Sequence, residues 1–190
     1  MEPFQDPADI DQFKRKLGFD KALVNCSGKI WIFWRMEWEG EVVMNSIQQI
    51  TMKFSKNNNI FFISSVYARC NGLERLELWD ELSSFAEDIQ SPWMIGGDFN
   101  VCLNEEEKLG GLAFTQQEAM DFAQCISSCA LLEVPFTGTR YTWWNGRIED
   151  DYILKRLDKI LVNHDFSTAF PAIGVQHFIR QGSDPVPLHV

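Results

Sequence analysis

The sequence predicts an α/β domain built on a mixed or largely antiparallel sheet system. Three observations predict it. Stripes of apolar residues with a helical period are interleaved with short apolar or alternating runs of strand length. Many links between successive strand segments are too short for the crossover that parallel neighbours require. A chain of 190 residues, 45% hydrophobic with 15 Phe and 7 Trp, fits one domain, residues 1–190, with a sizeable core.

Asp6-Pro7 has the form of an N-cap followed by proline at the first helical position. Ile10, Phe13 and Leu17 share a helical face, and Gly18 ends the segment. Ile30 to Trp34 is a nearly continuous apolar run that suits a buried strand. Ile50, Met52 and Phe54 alternate with polar residues, as a half-buried strand does. Asn57-Asn58-Asn59 gives a turn into a further strand, Ile60 to Tyr67. Leu76, Trp79, Leu82, Phe85 and Ile89 mark the apolar stripe of a helix.

Trp93-Met94-Ile95 is a short strand running into Gly96-Gly97-Asp98. Thr115-Gln116-Gln117-Glu118 has the wording of a capping box, and the helix it opens turns Ala119, Phe122, Ala123 and Ile126 inward. Tyr141 to Trp144 and Leu157 to Val162 read as strands, with an Asn145-Gly146 turn after the first. His177, amid Val175, Phe178 and Ile179, reads as a structural residue, and His164 as a loop residue.

The net charge of -10 opposes nucleic-acid binding, because phosphate contacts need Lys and Arg. The objection is partial: a site that collects Mg²⁺ must itself be acidic, and the ion then inverts the local field. No stretch approaches the roughly 18 apolar residues of a membrane span, and no basic-then-apolar leader opens the chain. The expectation is a soluble intracellular protein without a membrane partner. Cys125 and Cys129 share a helical face as core thiols; no histidine is near them in sequence to complete a zinc site.

Three acidic stations stand at strand ends: Asp98 in Gly97-Asp98-Phe99-Asn100, Asp158 in Arg156-Leu157-Asp158-Lys159, and Asp184 in Gly182-Ser183-Asp184-Pro185. Taken singly, the first and third are ordinary turns and the second a solvated charge pair. Together, carboxylates at one rim of a sheet can converge on one ion, and Mg²⁺ takes one or two carboxylates together with substrate phosphate. Asn100, two residues after Asp98, would point to the same side of an extended segment.

At this point the chain resembles the endonuclease/exonuclease/phosphatase superfamily, and is most similar to the endonuclease domain of plant LINE-type (non-LTR) retroelements. The phrases that carry the resemblance span nearly the whole chain. They include Gly28-Lys29-Ile30-Trp31, Val66-Tyr67-Ala68, Trp93 to Asn100, Glu107 to Gly111, Phe136-Thr137-Gly138, Tyr141-Thr142-Trp143, Arg156 to Lys159 and Gly182-Ser183-Asp184. The resemblance implies a DNase I-like sandwich of two sheets with helices on both outer faces and a site at one end of the paired sheets.

It also implies roles. Glu2 matches the metal-binding glutamate, Tyr67 a tyrosine that contacts the scissile phosphate, and Thr142 a small hydroxyl near the site. Asp98 matches the residue that prepares the attacking water, Asn100 the amide that holds water and phosphate. Asp158 matches the partner of the catalytic histidine, and Asp184 the acid before that histidine. The implied cofactor is Mg²⁺ or Mn²⁺, held by Glu2, Asp98 and Asp184, and the implied partner is DNA.

Two departures matter. The family reads Ser-Asp-His-x-Pro-Leu, and this chain reads Ser183-Asp184-Pro185-Val186-Pro187-Leu188. Pro185 has no ionisable group and no N–H, so it can neither transfer a proton nor donate to a phosphoryl oxygen. His189 is about 13 Å further along an extended strand, too far to substitute. The family also begins with a strand and an Asn upstream of the glutamate, so an N-terminally truncated domain lacking its first strand is expected, with a frayed Glu2 and reduced stability.

Three functions follow as expectations. The first is a metal-dependent DNA-nicking endonuclease, catalytically impaired and a remnant of its element, since no reverse-transcriptase segment follows Val190. The second is a non-catalytic module binding nucleic acid or protein. The third, ranked last because of the LINE-type phrases, is a phosphoesterase acting on a small phosphorylated molecule.

Overall fold

A computed structural model describes residues 5–148, 151–178 and 187–190. Glu2, Asp184 and Pro185 lie outside the described residues. Near the N-terminus the Asp6 carboxylate accepts the Ala8 N–H, and a 3-10 turn at Pro7–Asp9 leads into α1 (Ile10–Leu17). Gly18 closes α1 in the left-handed conformation that glycine adopts without a Cβ penalty. The α1 stripe is only partly covered, and Leu17 is exposed.

A hairpin pairs β1 (Lys21–Val24) with β2 (Trp31–Trp34). The apolar run of β2 is half-buried rather than buried, because it sits in a two-stranded sheet. Its side chains divide by face: Ile32 and Trp34 join a core with Ile50, Met52 and Phe54, while Trp31 meets Phe13 of α1 edge to face at 5.5 Å. The helix α1 therefore covers the outside of this hairpin.

The principal sheet has six strands. Its first members are β3 (Glu39–Asn45), β4 (Gln49–Lys56) and β5 (Asn59–Tyr67), an antiparallel meander. Asn57 and Asn58 turn β4 into β5 with φ of 51° and 66°, values that asparagine tolerates. At the sheet's edge, Val42 pairs with Met52 and Met44 with Thr51, so Val43 is an extra residue and β3 is bulged. The first half of β4 is buried on both faces, more than simple alternation predicted, because the strand is central.

Next comes α2 (Gly72–Asp88), capped by the Asn71 side chain on the Leu73 N–H. It buries Leu78, Trp79 and Leu82; Leu76, assigned to the stripe from sequence, is exposed. β6 (Trp93–Asp98) then enters the principal sheet parallel to β5, the crossover being α2 itself. The short β7 (Lys108–Leu109) precedes α3 (Gln116–Ser128). Thr115 stands at the N-cap of α3 but makes no side-chain cap bond, so the predicted helix start holds without the capping box. Inward positions of α3 are Ala119, Phe122 and Cys125, with Cys129 just beyond; Ala123 is exposed.

β8 (Leu132–Glu133), β9 (Phe136–Gly138), β10 (Trp143–Trp144), β11 (Leu154–Lys155) and β12 (Asp158–Val162) follow. α4 (His164–Ala169), capped by Asn163 on the Phe166 N–H, takes His164 into a helix rather than a loop. β13 (Val175–His177) and β14 (Leu188–His189) end the described chain. The principal sheet reads β3-β4-β5-β6-β12-β8, and β14-β13-β9 and β10-β11-β7 form two smaller sheets. Asn145 does not close a tight hairpin: its side-chain Oδ1 accepts the Arg147 and Ile153 N–H groups and spans a longer loop.

Side-chain alternation sorts the cores. Trp93 and Ile95 of β6 and Leu161 of β12 face α2 and α3, where Trp79, Phe99 and Phe122 stack at 4.7 and 4.8 Å. Met94, Ile160 and Val162 face the other way, toward Phe136, Phe166 and Val175. The second face of the principal sheet thus packs on β9, β13, α4 and the β1–β2 hairpin. The result is a mixed α/β sandwich, with α2 and α3 on one outer face and α1 on the other.

Candidate active site

Residues at one end of β5, β6 and β12 lie side by side. Tyr67 is the register partner of Asp98 across the parallel pair, and Asp98 is the partner of Asp158 across the antiparallel pair. Partners in register share a face, with Cβ atoms about 4.5–5.5 Å apart. The face is the one that carries Ile160 and Val162, so all three side chains enter the space between the sandwich layers.

Backbone geometry fixes this end. Gly97 has φ of +138°, and a Cβ there would lie 2.1 Å from the Val66 carbonyl oxygen. Only glycine lets β6 approach β5 so closely one residue before Asp98. Asn100 is not extended, as its spacing from Asp98 suggested; its φ is 51°. That left-handed turn brings its N–H to Asp98 Oδ1 at 2.8 Å and its Nδ2 to the Ala68 carbonyl at 2.8 Å. Asn100 therefore ties the end of β6 to the end of β5, and its Oδ1 receives the Cys70 thiol at 3.8 Å.

Thr142 organises β12 from below. Its buried hydroxyl oxygen accepts the Leu157 N–H at 3.0 Å and the Asp158 N–H at 3.2 Å. Asp158 itself is 1% exposed, and neither carboxylate oxygen has a hydrogen-bond donor among the described residues. Burial, followed by the charge of Asp98, pushes its carboxyl up to about 7; the Thr142 hydroxyl and Lys159 pull the other way.

The reading of Arg156 and Asp158 as a solvated pair does not hold. Arg156 turns away from Asp158 and pairs with Glu107 and Glu133. Lys159, on the opposite face of β12 from Asp158, is sealed from solvent. It stands 3.0 Å from Glu107 Oε2 and donates to the Arg156 carbonyl at 2.9 Å. A longer contact of 3.4 Å reaches the Val101 carbonyl. Glu107 in turn accepts the Leu103 N–H at 2.7 Å. This cluster fastens the segment after Asn100 to the segment before Asp158. Sequence reasoning assigned it no role; the signal was a lysine directly before the apolar run Ile160-Leu161-Val162.

A cleft of about 600 Å³ opens beside Tyr67, lined by Ser27, Lys29, Ala68, Arg69, Cys70 and others. The Lys29 ammonium lies 5.3 Å from the Tyr67 ring centroid. Asn25 shapes one wall: its Oδ1 accepts the N–H groups of Lys29 and Ile30, and its Nδ2 donates to the Ser46 carbonyl. Arg75 shapes the other by donating to the Arg69 and Cys70 carbonyls. The cleft thus carries Lys29 and Arg69 beside Tyr67, with Arg69 paired to Glu74 on the same lining at 3.6 Å.

His177 is a structural residue. It is buried, stacks on Phe136 at 4.4 Å, and has Nδ1 2.8 Å from the Thr139 carbonyl. A carbonyl can only accept, so Nδ1 carries the proton, and burial lowers the pKa.

A divalent cation fits this end in part. Asp158 presents two buried oxygens without donors, opposite a second carboxylate, which is the chemistry of a small hard cation. Among the described residues no three His, Cys, Asp or Glu side chains gather closely enough to hold an ion by themselves. Glu2 and Asp184, expected as ligands, and Pro185 lie outside the described residues.

No family model matches the sequence, and no curated protein does. Solved structures do. The endonuclease domain of TRAS1, a telomere-specific non-LTR retrotransposon, is similar with a TM-score of 0.59 at 11% identity, over 84% of this chain and 80% of that one. A functionally unknown conserved protein from Enterococcus faecalis V583 gives 0.62 at 15% identity, over 96% of this chain and 80% of its own. TDP2 from D. rerio, complexed with single strand DNA product, gives 0.55 at 10% identity, over 92% and 72%. These likenesses speak to the fold. No helix among the described residues is long and apolar enough to cross a membrane.

Proposed function

We propose, from the premise that this chain has the DNase I-like fold of the endonuclease/exonuclease/phosphatase superfamily, that its site is that of a metal-dependent DNA-nicking phosphodiesterase of LINE type, impaired by Pro185. One observation carries the reading: Tyr67, Asp98 and Asp158 meet in register at one sheet end, beside a cleft with Lys29 and Arg69.

In this proposal the Asp98 carboxylate takes the proton of the attacking water. Asn100, held by its bonds to Asp98 and Ala68, sets where that water and a phosphoryl oxygen rest. The Tyr67 phenol donates to a non-bridging oxygen of the scissile phosphate. Lys29, over the Tyr67 ring, adds positive charge on the side from which the polyanion arrives. A bound Mg²⁺ or Mn²⁺ supplies Lewis-acid stabilisation of the charge that develops on phosphorus oxygens. Pro185 removes the imidazole that would share this charge, a loss of about 10²–10⁴ in rate.

The test is nicking of supercoiled plasmid with Mg²⁺. The chain as it stands should nick weakly, Asp98→Ala should abolish what remains, and Pro185→His should raise it. Fast nicking by the unaltered chain that depends on Asp98 refutes the impairment. Nicking indifferent to Asp98→Ala refutes the site. A second reading, a module that binds DNA without cutting it, is favoured by Pro185 itself. Duplex binding that weakens with salt, with no cleavage by the chain or by Pro185→His, would establish that reading instead.

A further inference from the structure

We infer that Asp158 is itself a ligand of the divalent cation, forming with Asp98 a two-carboxylate site where the ends of β6 and β12 pair. The inference rests on the functional reading above only in taking the cation to bind at this end of the sandwich. It differs in the ligand: the resemblance gives Asp158 a histidine to orient and leaves the ion to Glu2, Asp98 and Asp184.

The carrying observation is the state of the Asp158 carboxylate. It is enclosed by protein, and both oxygens lack a donor among the described residues. A buried carboxylate left in that condition is costly, and structures resolve it with a donor, a proton or a metal. Thr142, whose hydroxyl opposes the rise of the Asp158 pKa, makes no hydrogen bond to either carboxylate oxygen, and the other donors nearby are committed elsewhere. The Asp158 N–H goes to Thr142, Lys159 projects from the other face of β12 to Glu107, and Arg156 binds Glu107 and Glu133. His177 donates its Nδ1 N–H to the Thr139 carbonyl at 2.8 Å. What faces Asp158 across the strand pair is a second acid, Asp98.

Two carboxylates at register positions across an antiparallel pair suit one ion. Mg²⁺ binds oxygens at about 2.0–2.1 Å, so one ion bridges oxygens roughly 3–4 Å apart, within reach of side chains on neighbouring Cβ atoms. Asp98, 9% exposed against 1% for Asp158, would lie on the outer side of the ion. The remaining positions on that side are left to water and a phosphate oxygen.

The experiment measures Mn²⁺ binding by the full chain without DNA, using the electron paramagnetic resonance signal of free Mn²⁺. The unaltered chain should bind one ion, Asp158→Asn should weaken it about 10-fold or more, and Glu2→Gln should weaken it less. Mn²⁺ should also broaden the amide signals of Asp98, Thr142 and Asp158 most strongly in the unaltered protein, a readout that does not depend on a variant folding. Binding unchanged in Asp158→Asn but lost in Glu2→Gln, with broadening away from Thr142, overturns the inference and leaves the metal-dependent reading standing. Absence of any Mn²⁺ binding overturns both.

Discussion

Lys159 and Glu107 form an ion pair at 3.0 Å with side chains 0% and 3% exposed. The pair lies behind the site rather than in it. Lys159 follows Asp158 on β12, so the buried pair anchors from behind the strand that carries the carboxylate on its other face.

Replacing Lys159 with Met should therefore destabilise the fold by about 3–5 kcal/mol, since Glu107 would be left buried with less compensation. Urea unfolding of Lys159→Met, Glu107→Gln and the double variant checks this. The double variant should lose clearly less than the sum of the two. Strict additivity would show that the two side chains do not depend on each other.

Asp158→Asn should stabilise the metal-free protein at pH 8, by about 1–3 kcal/mol after the cost of an unsatisfied amide. The native carboxyl is raised to about 7 from 3.8, chiefly by burial. Its penalty is absent below the ordinary value, grows as pH rises, and is complete above about 7. The advantage of the variant should accordingly shrink between pH 8 and pH 5. Thermal melts in chelator decide it, and a variant less stable at pH 8 would contradict the cause assigned here.

His177 supplies the opposite slope. Burial lowers its pKa below 6.5, so the unfolded chain takes up a proton that the native state refuses. Stability from this residue is full above 6.5 and is lost as pH falls through that value. His177→Gln should flatten the fall in melting temperature between pH 6.5 and 5, by up to about 1.4 kcal/mol per pH unit. An unchanged slope would assign the acid sensitivity to other groups.

Gly97→Ala should cost about 3 kcal/mol or more, because the new methyl meets the Val66 carbonyl and φ of +138° is strained for alanine. Gly146→Ala, also at positive φ but with open space around it, is the control and should cost distinctly less. Equal losses would mean that backbone strain alone, and not the β5–β6 approach, governs position 97.

Much of this was legible in the sequence where local chemistry decides. The Asp6 cap, the Gly18 stop, the Asn57-Asn58 turn and the strand into Asp98 each follow from residues adjacent in the chain. The α2 stripe was legible at Trp79, Leu82, Phe85 and Ile89 but not at its first position, because leucines at 76 and 78 both suit it and only the partner surface selects Leu78. Asn100 misled because its extended spacing is replaced by an Asx turn on Asp98. The buried Arg156, Lys159, Glu107 and Glu133 set was hidden for a different reason. Charged residues read as solvated until their opposite partners, distant in the chain, are brought to them by pairing of β12.

The bulge at Val43 bears on how molecules of this protein meet one another. A flat outer strand bearing Val42 and Val43 invites the matching strand of a neighbour to dock main chain to main chain. The extra residue throws the two halves of β3 out of phase, so a straight visitor can satisfy one half or the other but not both. Glu39 and Glu41, the latter paired with Lys53, put acidic side chains on the same stretch, which disfavours docking of an identical strand.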